Sequence, residues 1–262
     1  MKEIKIGCSG IGNVSDVEDT FFKFKEAGIS AAEIPFTYGI FIKKKEDIEK
    51  VRKASEKFGV ALSIHAPYWI NLNSAEKIKI EGSKKRILDC CEIGEKLGVK
   101  FVVFHAGFYG KISKEETYEN IKNQIIEMQG VIKKNNWKVK LAPETMGKIN
   151  VFGSVSEILK LVKDTKCSFT LDFAHLYARS LGTLSYKEML SEFNEIDKFH
   201  CHFSGIEFGD KGEKNHKLTS EQEWTKLLKV LKESGKEFTI INESPSPVED
   251  ALLGVEVLRG LG

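Results

Sequence analysis

The chain lacks the segments that would place a protein in or across a membrane. No apolar run approaches the length that a membrane span needs, and the start MKEIKIGCSG has neither a long apolar core nor a cleavage site. Its five cysteines are odd in number and form no CxxC pair, which argues against a disulfide framework. We therefore expect no signal peptide and a cytoplasmic location.

An excess of charge of one sign is also missing. Forty basic and 38 acidic side chains leave a net charge of +2, which neither indicates nor excludes a nucleic-acid partner. The 262 residues are enough for one α/β barrel or for two smaller domains.

Strand-like and helix-like segments alternate from end to end. The strand candidates are short and mostly rich in β-branched and aromatic residues, as buried parallel strands are; they are residues 4–9, 31–36, 61–66, 100–106, 138–144, 167–173, 197–203 and 237–243. Eight β-then-α units predict a single (β/α)8 TIM barrel over residues 1–262. A doubly wound open sheet is the alternative, but the first turn, GCSGIGN, contains no GxGxxG.

Amphipathic helices are predicted between the strands, over residues 16–27, 45–58, 83–97, 115–134, 154–163, 185–193, 220–234 and 247–258. Several begin at a serine that can cap the first turn, namely Ser83, Ser113, Ser154, Ser185 and Ser220.

Imidazoles and carboxylates stand at, or just past, the ends of the strand candidates. They are His65, His105, Glu144, Asp172, His175, His200, His202 and Glu243. A lone histidine at a strand end is more often a hydrogen-bonded core residue. In a barrel, however, the C-terminal strand ends converge at one mouth, and barrel enzymes have their active sites there. Imidazole nitrogen and carboxylate oxygen bind zinc, manganese and iron, so the pattern predicts a metal site. His200 lies one layer deeper than His202, and we expect it to fill the barrel.

The segment from Ser204 to Thr219 is predicted to be a long loop, and long ordered loops are usually functional. It is a solvated charged loop by composition, yet His216 with its acidic neighbours is a further candidate ligand. Tyr68 and Trp69 follow His65, where they either pack over the rim or stack on bases.

Taken together, these motifs resemble the endonuclease IV family of apurinic/apyrimidinic endonucleases, within the xylose-isomerase-like barrel group. The resemblance covers most of the chain and is carried by HAPYWINL, VFHAG, PETMGKINVFG, LDFAH, HFS, GEKNH and INESP. It implies a zinc-dependent DNA-repair nuclease that hydrolyses the phosphodiester 5′ to an abasic deoxyribose in duplex DNA, with no obligate protein partner.

The resemblance also implies two or three Zn²⁺ ions per chain. His65 and His105 would hold one ion, and catalytic Glu144 would bridge it to a second ion, completed by Asp172, His202 and Glu243. His175 would hold a third ion with an acid and a histidine from the loop, and Tyr68 would enter the DNA at the lesion. The family has Asp-x-His in that loop, whereas this chain has Glu213-Lys214-Asn215-His216. Asn215 therefore occupies the expected histidine position, and His216 is the candidate ligand.

Two other functions fit the same residues. A sugar isomerase or epimerase of this barrel group would hold one Mn²⁺ or Mg²⁺ with Glu144, Asp172, His202 and Glu243. The position of Glu33, at the end of the second strand, also resembles those relatives. A non-catalytic barrel that binds metal or nucleic acid is the other alternative. Metal content distinguishes the phosphodiesterase from the isomerase: more than one tightly held zinc per chain favours the phosphodiesterase, and one exchangeable manganese or magnesium favours the isomerase.

Overall fold

A closed barrel of parallel strands forms the centre of the protein. The computed structural model describes residues 2–262, and the barrel strands are β1 (Ile4–Ser9), β2 (Ala31–Pro35), β3 (Ala61–His65), β4 (Phe101–Phe104), β5 (Lys140–Pro143), β6 (Leu171–Asp172), β7 (Lys198–Phe203) and β10 (Glu237–Asn242). They pair in the order β5-β4-β3-β2-β1-β10-β7-β6. A parallel bridge between Glu144 and Thr170 closes the ring, with the Thr170 N–H donating to the Pro143 carbonyl at 3.1 Å. The predicted TIM barrel is confirmed.

Nine α-helices are found in the described part of the chain. They are α1 (Val17–Ala27), α2 (Lys45–Phe58), α3 (Lys77–Leu97), α4 (Lys114–Lys134), α5 (Val155–Thr165), α6 (Phe173–Arg179), α7 (Tyr186–Ser191), α8 (Glu221–Ser234) and α9 (Pro247–Gly260). None of these helices in residues 2–262 is long and apolar enough to cross a membrane.

Serine capping explains where four of the helices begin. Ser113, Ser154, Ser185 and Ser220 each accept a hydrogen bond from a backbone N–H of the first turn, as predicted. The predicted cap at Ser83 is wrong, because α3 begins six residues earlier. Ser83 is buried within that helix, and its hydroxyl donates to the Lys79 carbonyl at 2.7 Å.

The sixth strand is much shorter than predicted. Regular strand covers only Leu171 and Asp172, and the chain enters α6 at the next residue. Asp172 is the N-cap of α6, since its Oδ1 accepts from the His175 N–H at 2.8 Å. The cap forces the chain to turn at the barrel mouth and places His175 one helical turn from Asp172.

The segment predicted to be a loop forms a β-hairpin instead. Strands β8 (Gly205–Gly209) and β9 (Gly212–Lys217) pair in antiparallel fashion directly after β7. Backbone hydrogen bonding fixes this charged segment over the C-terminal mouth of the barrel, next to α6.

The apolar layer between barrel and helices holds these elements in place. Trp224 of α8 is fully buried, donates its indole N–H to the Asp250 carbonyl at 2.8 Å, and packs against Phe203. A Cβ on Gly254 of α9 would lie 2.7 Å from this indole, so α8 and α9 require glycine there to approach closely. All five cysteines are buried and unpaired.

Candidate metal centre

Glu144, at the end of β5, is the centre of the cluster of strand-end side chains. It is fully buried and has imidazoles on both sides of its carboxylate. Its Oε2 lies 3.5 Å from His65 Nε2 and 3.2 Å from His105 Nε2, and its Oε1 lies 3.1 Å from His175 Nδ1 and 3.2 Å from His202 Nδ1. The barrel thus brings imidazoles from the ends of β3, β4 and β7 and from the first turn of α6 to one carboxylate.

The first potential ligand group contains His65, His105 and Glu144. His65 Nδ1 lies 2.7 Å from the Ala66 carbonyl, which can only accept a hydrogen bond. Nδ1 must therefore carry a proton, and Nε2, which faces Glu144, is the nitrogen that would bind a cation once its own proton is displaced. His65 and His105 are edge to face, with ring centroids 5.1 Å apart.

The second group contains Glu144, Asp172, His202 and Glu243. His202 Nδ1 lies 3.2 Å from both Glu144 Oε1 and Glu243 Oε2, so the ring presents Nδ1 to this group. Asp172 caps α6 through Oδ1, which leaves Oδ2 directed into the group.

The third group contains His175, Glu213 and His216, and the hairpin supplies two of its three members. His175 Nδ1 lies 2.9 Å from the Thr145 carbonyl, and its Nε2 lies 3.5 Å from Glu213 Oε2. His216 Nδ1 contacts the Ser204 hydroxyl at 2.7 Å. Asn215, in the family's histidine position, pairs with Glu207 rather than joining the group.

Each group matches the requirements of a cation site. One ligand atom from every member lies within 4.8 Å of the others in its group. Buried carboxylate oxygens in all three groups lack a hydrogen-bond partner among the described residues, namely Glu144 Oε2, Asp172 Oδ2 and Glu213 Oε2. A buried carboxylate oxygen without a hydrogen bond is costly, and a bound cation would remove that cost. The mixed imidazole and carboxylate donors suit Zn²⁺ or Mn²⁺.

The electrostatics of the cluster show strong coupling between acids and imidazoles. Burial opposes ionisation of Glu144, but His202 and the other imidazoles hold its pKa well below the usual range. Burial would lower the pKa of His65, yet Glu144 and Glu243 raise it to about 9. Burial raises the pKa of Asp172 to about 6. His65 therefore holds a proton near neutral pH that a cation would displace, whereas burial lowers the pKa of His105.

An aromatic rim stands beside the first ligand group. Tyr68 is half exposed and stacks on His105, with ring centroids 5.7 Å apart. Tyr38 and Trp69 are 81% and 60% exposed, and their ring centroids lie 6.0 Å apart. Burial, followed by the charges of Glu243 and Glu144, raises the pKa of Tyr68 to about 12, so its hydroxyl stays neutral near pH 7. Tyr68, predicted to bind substrate, thus lies next to the metal-ligand candidates and is open to solvent.

Exposed lysines occur on several loops that follow strand ends and on the hairpin turn, namely Lys43, Lys44, Lys111, Lys148 and Lys211. In a TIM barrel these loops surround the C-terminal mouth. These lysines place positive charges around the mouth where the ligand groups lie, and exposed acidic side chains such as Glu76 and Asp210 occur on the same set of loops.

Glu33 is a polar residue of the barrel interior that the metal-site prediction did not include. Its Oε1 lies 3.0 Å from His202 Nε2, and its Oε2 lies 3.1 Å from His200 Nε2. His200 is buried inside the barrel as predicted, but it also has this carboxylate partner. The signal was a glutamate within the apolar strand AAEIP, since a fully buried carboxylate needs a partner.

Comparison with known families identifies relatives over nearly the whole chain. The family model described as xylose isomerase-like TIM barrel matches residues 21–261. An uncharacterized protein of Methanocaldococcus jannaschii is 36% identical, with 96% of each chain covered. An apurinic-apyrimidinic endonuclease of Caenorhabditis elegans is 31% identical over 59% of this chain, which spans only 40% of that relative.

Solved structures with the same fold include proteins of two functional classes. Endonuclease IV from Thermus thermophilus superposes with a TM-score of 0.69 at 22% identity, covering 98% of this chain and 97% of the other. A D-tagatose 3-epimerase-like protein superposes with a TM-score of 0.71 at 21% identity, covering 98% and 96%. At this level of identity the similarity concerns the fold, and the residues of the site must distinguish between the activities.

Proposed function

Because the chain belongs to the xylose isomerase-like TIM barrel family, we propose that it is a zinc-dependent phosphodiesterase that cleaves duplex DNA 5′ to abasic sites. The observation that carries this proposal is the third ligand group, His175, Glu213 and His216. An isomerase that works with one ion needs only the second group, and it has no use for a histidine and a carboxylate delivered by the hairpin.

Glu144 is central to the proposed reaction. Its two oxygens face different imidazoles, Oε2 towards His105 and Oε1 towards His202. The carboxylate would therefore hold an ion of the first group and an ion of the second group at the same time. Bound zinc ions would supply an activated water and neutralise the charge that develops on the phosphate and the leaving oxygen.

The remaining side chains orient the ligands and the substrate. Hydrogen bonds from ring Nδ1 to the carbonyls of Ala66 and Thr145 orient His65 and His175. Tyr68 would occupy the gap that a missing base leaves, since an abasic nucleotide leaves the stack at low cost. The lysines of the mouth would contact the phosphates.

A divalent-metal sugar isomerase or epimerase is the second candidate. The second ligand group comes from the ends of β5, β6, β7 and β10, and it is complete without the other two. The fold similarity to an epimerase-like protein, with a TM-score of 0.71, is comparable to that with endonuclease IV, with a TM-score of 0.69.

One experiment separates the two functions. The purified chain, supplied with zinc, is incubated with a duplex carrying one tetrahydrofuran abasic analogue, with the intact duplex as control, and in parallel with a panel of ketoses and Mn²⁺. We expect a single cut 5′ to the analogue, and a loss of about 100-fold or more in His216→Ala. Epimerisation that His216→Ala leaves unchanged, without cleavage of DNA, would reverse the assignment.

A further inference from the structure

A second polar cluster lies one layer below the ligand groups, inside the barrel. It consists of Glu33 on β2, Ser63 on β3, and His200 and His202 on β7, all of which are buried. Ser63 donates its hydroxyl proton to Glu33 Oε2 at 2.7 Å, and His200 Nε2 lies 3.1 Å from the same oxygen. Only His202 belongs to both this cluster and the second ligand group.

Glu33, His200 and His202 also lie close enough together to hold a cation, but His200 Nε2 and Glu33 Oε2 are engaged within the cluster. Because Glu33 Oε2 accepts hydrogen bonds from Ser63 and His200, it is already satisfied as an acceptor. Its Oε1 and His202 Nε2 lie 3.0 Å apart, and neither atom has a hydrogen-bond partner elsewhere in residues 2–262. These two atoms are the ligand atoms left free for a metal ion, and a structural or catalytic zinc takes at least three protein ligands.

The contact between Glu33 Oε1 and His202 Nε2 explains the orientation of the His202 ring. Its Nδ1 faces Glu144 and Glu243, so the ring must keep Nδ1 unprotonated to coordinate a cation. A carboxylate at Nε2 holds the proton on that nitrogen and fixes the ring plane. His65 and His216 also have a polar partner at Nδ1, and for these two rings the partner is neutral. His175 Nδ1 contacts the neutral Thr145 carbonyl but also lies near the carboxylates of Glu144 and Asp172.

We propose that Glu33 is a positioning residue that orients His202 and sets the affinity of the second ion site, while Ser63 and His200 hold the Glu33 carboxylate in place. A charged partner makes the coordinating nitrogen more basic than a neutral carbonyl does, so the second site binds its ion more tightly. This inference rests on the metal-binding part of the proposed function. It is independent of whether the substrate is DNA or a sugar.

Zinc binding by variants of Glu33 tests the inference without an activity assay. The wild-type chain and Glu33→Gln are loaded with zinc sulfate, dialysed against increasing concentrations of a chelator, and analysed for zinc per chain. Glu33→Gln keeps the size of the side chain but removes its charge. We expect it to lose one ion at a chelator concentration about 10–100-fold lower than wild type, with the other ions unchanged.

Two further variants and a spectroscopic readout distinguish positioning from general damage. Ser63→Ala, which leaves Glu33 Oε1 facing His202, should lose the same ion with a smaller shift in chelator concentration. Glu33→Asp should recover part of the affinity and serves as the test if Glu33→Gln does not fold. Long-range ¹H–¹⁵N correlation spectra should show His202 protonated on Nε2 in the zinc-loaded wild type, and a mixture of tautomers in Glu33→Gln.

Each way in which the inference can fail has its own signature. A wild-type chain that binds no zinc overturns both the metal-dependent function and the role of Glu33. A wild-type chain that binds zinc, with an unchanged release profile in both Glu33 variants, overturns only the positioning role. An additional ion that is lost in Glu33→Gln, while the three groups remain loaded, would make Glu33 a ligand and likewise contradict the proposal.

Discussion

Glu213 and His216 lie on the same face of β9 although three residue positions separate them. Glu213 pairs with Phe208 and His216 pairs with Ile206 on β8, and the ladder shifts between Glu207 and Phe208. Lys214 is the extra residue of a β-bulge, so the alternation of side chains is restored beyond it. The bulge explains how Glu-x-x-His can present both side chains to His175.

The first prediction concerns Glu213. Glu213→Ala should remove one of three zinc ions and leave the first and second groups loaded, because Glu213 belongs only to the third group. Elemental analysis after dialysis measures the loss. Glu207→Ala, in an exposed glutamate of the same hairpin, is the matched control and should retain all ions. Equal zinc content in both variants would show that Glu213 is not a ligand.

The second prediction follows from the bulge. Deleting Lys214 should leave the third ion in place, because Glu213 and His216 would then be two positions apart in a regular strand and still share a face. Zinc content and the melting temperature of the loaded protein measure the effect. Loss of one ion on deletion would mean that the bulge itself shapes the site.

A third prediction concerns the pH dependence of zinc binding. His65 has a pKa raised to about 9, so near neutral pH a cation must displace its proton. Zinc affinity at the first group should therefore rise with pH up to about 9, by about tenfold per unit for one displaced proton. Calorimetry in two buffers of different ionisation enthalpy counts the protons released, and His65→Asn should release one fewer. An affinity that is constant from pH 6 to 9 would contradict the prediction.

The metal-free protein should show the opposite trend in stability. A histidine with a pKa raised from 6.5 to about 9 stabilises the folded state fully below pH 6.5, and the stabilisation disappears as pH rises to about 9. The melting temperature of EDTA-treated protein should therefore fall between pH 6.5 and 9, and His65→Asn should show a smaller fall. A melting temperature that rises over this range would show that His65 is neutral without a cation.

The fifth prediction concerns Tyr68. Tyr68→Ala should weaken binding to abasic duplex by about 5- to 150-fold, since stacking of one aromatic ring contributes about 1–3 kcal/mol. Binding to intact duplex should change little. Phe22→Ala, in another half-exposed aromatic residue on α1, is the control. If abasic and intact duplex lose affinity equally, Tyr68 does not recognise the lesion.

The positions of the strand ends could be predicted from the sequence, because apolar strand segments are followed by histidines or carboxylates where the strands end. Helix α6 was not predicted, since five of the residues in FAHLYAR are buried and the segment shows no polar face. The hairpin was missed because GIEFG and GEKNHK are rich in glycine and charge, and their pairing comes from the backbone. The Glu33–His202 contact joins residues on strands far apart in the chain, and no local pattern reports it.

The number of zinc ions that the purified wild-type chain retains tests the central claim most directly. The measurement is elemental analysis after dialysis against a dilute chelator at pH 7.5. Three ligand groups that share Glu144 across the first and second predict three ions per chain, with one lost in Glu213→Ala. A chain that retains two ions or fewer would contradict the proposed trinuclear centre.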